Sequence, residues 1–199
     1  PYGQSNTQLD ATYEQLNAAL GFKTSPVTGL WFNIYGGYQD LKNNLASAAI
    51  ANYSGSYLQL LQGNMHNIYA GAEASYSYKD IISFTASGIY RDWKTAKTEN
   101  NSGDQLLYYM PSFEASFKVD IRPISSVLIN LGYQHITREK IGNERVDPVG
   151  NLYLGGSYEV FEGISIYVRA NNLLNKDYQY YPGYPTEGIN FMGGVSFRF

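Results

Sequence analysis

The feature that most constrains this chain is an alternation of apolar and polar residues, with a period of two, that recurs through nearly its whole length. Such alternation marks a strand with two different faces. Nine segments carry it, at residues 9–23, 30–40, 66–78, 81–93, 106–120, 125–137, 150–160, 164–173 and 189–199. Each is near or above the roughly 9–11 residues that a tilted strand needs to cross a bilayer, whereas ordinary strands average about 5–6. One face reads Leu16, Ala18, Leu20, Phe22, then Leu30, Phe32, Ile34, and later Ile164, Ile166, Val168, Ala170, with no charge on it. The opposite face holds Asn17, Asn33, Glu73, Glu114, Lys118, Asn130, Gln134, Arg169 and Arg198. The pattern therefore predicts an all-β chain with one wet and one apolar face.

The connections sort by length. Residues 24–29, 79–80, 121–124 and 161–163 read as short turns, whereas residues 41–65, 94–105, 138–149 and 174–188 are long and rich in Asn, Gly, Ser and Tyr. None of the long stretches holds a helical period, so all four are expected to be loops, with the Ala-rich part of 45–61 leaving room for an extra strand or a loop helix. Short and long alternate strictly, as periplasmic turns and extracellular loops do in antiparallel transmembrane β-barrels. A soluble β-sandwich binding module shares the alternation but has no reason to keep that order.

Composition and aromatic placement favour the membrane. Charged residues form 16% of the chain, below the roughly 25% usual in soluble domains. Aromatics on the apolar face gather in two bands, with Tyr38, Tyr90, Tyr109 and Tyr133 toward the long loops and Phe22, Tyr76, Tyr78, Phe117, Tyr158 and Phe197 toward the short turns. Amphipathic rings concentrate at both membrane interfaces. No run of about 18 apolar residues offers a transmembrane helix, so any crossing is by strands, with outer-membrane lipid as the partner of the apolar face. Residues 1–7 lack a basic stretch and an apolar core, so no signal peptide is read there.

Other functions find little support. There is no cysteine, which removes disulfides and thiolate chemistry, and a net charge of -3 argues against a nucleic-acid surface. His66 and His135 lie several strands apart without a second ligand at useful spacing, so no metal site is expected. No nucleophile elbow or phosphate-binding loop occurs, and neither catalysis nor a cofactor is expected. Glu73, Glu114 and Glu159 are expected to pair with basic residues of the same face such as Lys118, Arg169 and Arg198. Gly36, Gly88, Gly132, Gly155 and Gly156 are expected to relieve curvature. Trp93, Tyr108, Tyr180, Tyr181 and Tyr184 fall at or above the outer rim, where rings stack on sugars or an aromatic chelator, or simply pack the loops.

The last strand ends on an aromatic, with Phe191, Val195 and Phe197 on one face and Phe199 at the terminus. It looks like the carboxy-terminal signature of bacterial outer-membrane proteins, which implies recognition by the barrel-assembly machinery. Upstream, Val168-Arg169-Ala170-Asn171-Asn172-Leu173-Leu174-Asn175-Lys176-Asp177-Tyr178, then Gly183-Tyr184-Pro185 and Gly188, resembles the closing segment of TonB-dependent outer-membrane receptors, in flavour those of the Bacteroides group. Specific matching covers residues 160–199, and the rest matches in strand and loop rhythm.

The resemblance implies a 22-stranded barrel in the bacterial outer membrane, closed by a plug domain and energised through TonB. It implies import of a scarce ligand of the glycan, siderophore-iron or cobalamin class. No plug segment is read in residues 1–199, and nine strands fall far short of 22. A complete bacterial barrel has an even strand number. Residues 1–199 are therefore expected to be the carboxy-terminal portion of a larger barrel; the alternative is a complete small barrel with a structural or adhesin-like role.

Overall fold

The structure is a computed structural model and describes residues 9–52, 55–95, 106–107, 110–139, 147–181 and 184–198. Its elements are β1 (Tyr13–Val27), β2 (Leu30–Asn52), β3 (Gly55–Tyr78), β4 (Ile82–Thr95), β5 (Pro111–Ile124), β6 (Val127–Arg138), β7 (Val149–Phe161), β8 (Ile164–Asn171), β9 (Gln179–Tyr181), β10 (Tyr184–Pro185) and β11 (Asn190–Phe197). Nine form one antiparallel sheet in the order β1-β2-β3-β4-β5-β6-β7-β8-β11, and β9 with β10 forms a small separate ribbon. Among the described residues β1 and β11 are the open edges of the sheet.

Register places the alternation on consistent faces across all nine strands. Phe84 stands opposite Val119, Val119 opposite Leu131, and Leu131 opposite Leu154, so the apolar rows run across strand after strand. Burial is inverted relative to a water-soluble domain. Leu20 is 85% exposed, Phe191 80% and Val168 68%, while the buried hydrophobics among the described residues are Met65, Trp93, Leu106, Val149 and Tyr178. These five are not on the apolar sheet face but on the polar side or in the connections. A continuous exposed face of Leu, Ile, Phe and Ala needs a nonaqueous partner, and a sheet of crossing strands pairs every interior backbone group as lipid requires. The fold is an antiparallel transmembrane β-sheet of barrel type.

Several boundaries differ from the sequence reading. Residues 41–65 are not a loop: β2 and β3 remain paired for nine further residue pairs, from Asn44 opposite Gly63 to Asn52 opposite Gly55. At about 3.4 Å per residue the ribbon rises about 30 Å beyond the rim where β1 and β4 stop. Among the described residues no separate strand or helix is added there, and the sheet has nine strands. The expected strand at 106–120 starts instead at Pro111, and residues 106–107 form a helical turn whose Leu106 packs on Met65 and Trp93. Pro26 and Pro123, read as turn residues, lie inside the ends of β1 and β5 at register shifts, where the missing N–H breaks no ladder bond. The turns follow them, at 28–29 and 125–126. Gly29 takes a φ of 82°, and a side chain there would strike the Ser77 carbonyl oxygen.

The two aromatic bands are less separate than expected. Phe117, assigned to the short-turn side, stands directly opposite Tyr133, assigned to the long-loop side. Strand position alone cannot give height, because neighbouring strands are staggered. Tyr109 lies outside the described residues. Both histidines are on the apolar face within the long-loop band, His66 beside Tyr38 with ring centroids 5.7 Å apart and His135 beside Tyr133 at 6.4 Å.

Candidate functional site

The polar face of the sheet is held by hydrogen bonds between strands. Tyr69 donates its hydroxyl to Asn17 (3.0 Å), Gln39 donates to Glu14 (2.6 Å), Asn67 donates to Gln39 (2.9 Å), and Ser87 and Ser116 share a hydrogen bond of 2.7 Å. Arg91 on β4 forms an ion pair with Glu114 on β5. Lys118 pairs with Asp120 at 2.8 Å along β5. The expected partners therefore differ from the sequence reading: Glu114 takes Arg91, Lys118 takes Asp120, and Glu159 accepts from the backbone N–H of Gly163 (3.2 Å). The register explains this, because Glu114 stands opposite Ile89 with Arg91 two positions further on the same face, whereas Arg169 lies three strands away.

Tyrosines tile this face. Ideal side-chain positions at Gly37, Gly71, Gly132 and Gly194 fall well inside contact distance of the phenol groups of Tyr69, Tyr35, Tyr153 and Tyr167 respectively, each the residue directly opposite. Gly132, expected to relieve curvature, instead leaves room for the Tyr153 ring. Arg169 on β8, opposite Gly155, stacks on that ring, its guanidinium carbon 4.1 Å from the centroid.

The connection between β8 and β11 is tied to the polar face at several points. Asn172 is 1% exposed and adopts a φ of 51°, a left-handed conformation that Asn tolerates better than most residues. Its backbone N–H donates to Asn151 Oδ1 (2.9 Å), its Nδ2 donates to the carbonyls of Lys176 and Glu187 (3.0 Å each), and its Oδ1 accepts from the Lys176 N–H (3.1 Å). The Asn-Asn-Leu-Leu-Asn-Lys motif is therefore a knot that closes both ends of the connection. Beyond it Tyr178 is buried and meets Tyr180 edge to face at 5.5 Å. Burial first, and then neighbouring Tyr180, push the Tyr178 phenol up to about 12.

The sequence-predicted rim residues come to different ends. Tyr180 turns onto the polar wall, donating its hydroxyl to Gln134 Oε1 (3.1 Å), while its carbonyl accepts from Arg138 (3.1 Å). Tyr181 is in β9, and Tyr184, in β10, is 74% exposed. Trp93 is buried against Met65 and Leu106 and donates its indole N–H to the Pro111 carbonyl (2.9 Å), so it packs the base of a loop. Tyr108 lies outside the described residues. Phe191, Val195 and Phe197 share the exposed apolar face of β11, opposite Ala170, Ile166 and Ile164, and Phe199 lies outside the described residues. Sequence reasoning missed Asn172, Tyr178, Tyr153 and Gln134 as contributors; the paired asparagines in 171–172 were the visible signal for the first.

No family model matches the sequence, and no curated protein matches it. Solved structures do. The chain superposes on the copper transporter OprC with a TM-score of 0.71 and 18% identity, over 92% of this chain and 31% of that one. It superposes on the FrpB iron transporter of Neisseria meningitidis with a TM-score of 0.69 and 15% identity, over 96% of this chain and 31% of that one. The ferric enterobactin receptor of Pseudomonas aeruginosa gives 0.68 and 16%, over 96% and 32%. The chain thus spans about a third of the length of the structures it matches. With its nine antiparallel crossing strands, an outer face that is apolar up to the Asp40–Lys42 and Asp92–Lys94 pairs at the long-loop rim, and a hydrogen-bonded polar face, the chain has the fold of part of the barrel wall of TonB-dependent outer-membrane receptors.

Proposed function

We propose that this chain is the carboxy-terminal portion of an outer-membrane receptor that imports a scarce ligand with energy coupled through TonB, and that it has no catalytic role. The observation that carries the reading is the pairing of an exposed apolar face with a polar face of matched ion pairs and tyrosines, which suits a wall between lipid and an occupied interior. A plug domain supplied elsewhere in the intact protein would fill that interior. The open edges agree: β1 and β11 run in the same direction, because eight antiparallel pairings separate them, so closure calls for further strands.

Ligand contact from this portion comes from the connections on the long-loop side, where Tyr184 and β9 sit on a base fixed by Asn172. The similar structures include a copper transporter, a ferric enterobactin receptor and an iron transporter. These neighbours support metal chelates, the siderophore-iron class, ahead of glycans and cobalamin. Replacing Tyr180, Tyr181 and Tyr184 together by Ala in the intact receptor should lower uptake of a labelled ferric chelate while leaving its membrane level unchanged. Deleting the intact gene should abolish uptake of one ferric chelate under iron limitation; unchanged uptake of ferric chelates, glycans and cobalamin alike would overturn the import reading in favour of a structural or adhesin-like barrel.

Assembly is the second part of the proposal. Phe199, with Phe191, Val195 and Phe197 behind it, serves as the signal read by the barrel-assembly machinery. Deleting Phe199 should reduce membrane insertion of the intact protein several-fold, and normal levels after the deletion would remove the idea.

A further inference from the structure

Arg169 differs from Arg91 and Lys118 on the polar wall. Arg91 is neutralised by Glu114 and Lys118 by Asp120, but among the described residues no carboxylate lies within ion-pair distance of Arg169. Its surroundings hold it in place without cancelling its charge. The guanidinium rests on the Tyr153 ring at 4.1 Å, and Nε donates to Asn171 Oδ1 at 2.7 Å. Asn171 in turn donates to Asn190 Oδ1 (3.0 Å), and Asn190 to the Gly188 carbonyl (3.2 Å), which ties the arrangement to the knotted connection above. The neutral Asn130 amide covers Gly155, directly opposite Arg169, and Gly132 lets Tyr153 lie across the wall.

We infer that Arg169 is an oxyanion-binding site on the interior wall, taking a carboxylate or phosphate group of a solute inside the barrel. Stacking and the Nε bond fix the plane of the guanidinium while its Nη groups make no hydrogen bond among the described residues, leaving the donor fork that matches two oxygens of one anion. Fixing the fork in advance removes much of the ordering cost of binding. Neutral partners do this without competing for the anion, which an adjacent carboxylate would do. The inference rests on this face being the barrel interior, and not on import: an anion site can be present in a protein that imports nothing, and import can proceed without one.

The test uses the intact protein in detergent, modified with phenylglyoxal and followed by mass spectrometry of the arginine-containing peptides. Arg169 should react, and millimolar citrate, or inorganic phosphate in a parallel series, should slow its modification several-fold while leaving the exposed Arg122 and Arg198 unchanged. Glycerol should have no effect. In Tyr153→Leu the guanidinium loses its platform, so protection by citrate should weaken while reactivity remains. Equal slowing at Arg122 and Arg198 would show only general screening and overturn the site. So would the absence of protection, or an Arg169 that is unreactive throughout, which would mean that a group of the polypeptide already covers it.

Discussion

Tyr35 on β2 and Tyr69 on β3 meet edge to face, ring centroids 6.4 Å apart at 63°, and each ring lies over the glycine opposite it, Gly71 for Tyr35 and Gly37 for Tyr69. The reciprocity fixes the register of the two strands. A slip by one residue would turn one of the two rings to the lipid face, and a slip by two would set them against side chains instead of glycine. A single tyrosine over the glycine opposite it, without the reciprocal half, joins β6 to β7 and β8 to β11.

Gly71→Ala should therefore destabilise the barrel, because the new methyl would fall 2.4 Å from the Tyr35 ring. Overpacking of this kind costs about 1–3 kcal/mol. Tyr35→Ala removes the obstruction, so the double variant should be more stable than the two separate losses predict. Urea unfolding of the intact protein in lipid vesicles measures the cycle. Strict additivity would mean that ring and glycine do not interact.

How much of this was legible in the sequence depends on which residues were asked to speak. Alternation named the lipid face correctly, because Leu20, Ile34 and Val168 each report their side through their immediate neighbours. Partners across strands were not legible. Pairing Arg91 with Glu114, or leaving Arg169 without a carboxylate, depends on stagger between strands that no single segment encodes. The β2–β3 ribbon was hidden for a different reason: residues 43–65 hold no charged residue and many Asn, Ser and Gly, so strand pairing beyond the membrane resembled loop composition. The Asn172 knot was visible as a motif but not as geometry, since its partners Lys176 and Glu187 lie at opposite ends of the connection.

Charge placement tests the faces directly. Ile129 and Ala72 point to the lipid side, whereas Ser75 and Asn130 lie on the polar wall, the latter opposite Asp120. A Lys at Ile129 or Ala72 should cost roughly 2–4 kcal/mol near the bilayer midplane. Asn130→Lys and Ser75→Lys should be tolerated, Asn130→Lys the better because the new ammonium can meet the Asp120 oxygen that has no hydrogen-bond partner among the described residues. Equal losses on both faces, read from the same vesicle unfolding assay, would refute the assignment.

Asn172→Ala should loosen the β8–β11 connection. The substitution removes the donors to the Lys176 and Glu187 carbonyls, and it places Ala at a φ of 51°. Losing these part-buried hydrogen bonds costs about 0.5–1.5 kcal/mol each, and the left-handed backbone adds to that. Hydrogen exchange of residues 173–188 in the intact protein should rise while that of β3 and β4 stays as before. Unchanged exchange in 173–188 would show that the Tyr180 contacts alone hold the connection.

The buried Tyr178 makes the same connection sensitive to strong alkali. Its phenol is pushed from 10.0 up to about 12, with burial the leading cause and the neighbouring Tyr180 adding to it. A group whose folded pKa is raised holds its proton more tightly in the docked state, so its contribution is complete below pH 10 and is lost as pH rises from 10 toward 12. The docked connection is therefore insensitive to this group throughout the physiological range. Tyr178→Phe keeps the ring and removes the titration. The phenolate absorbance of wild type minus that of Tyr178→Phe should rise with a midpoint near 12, and with it the proteolytic sensitivity of residues 173–188 in the wild type alone. A difference curve centred near 10 would place Tyr178 in water, and the β9–β10 ribbon would then lack the buried ring that seats it against the wall.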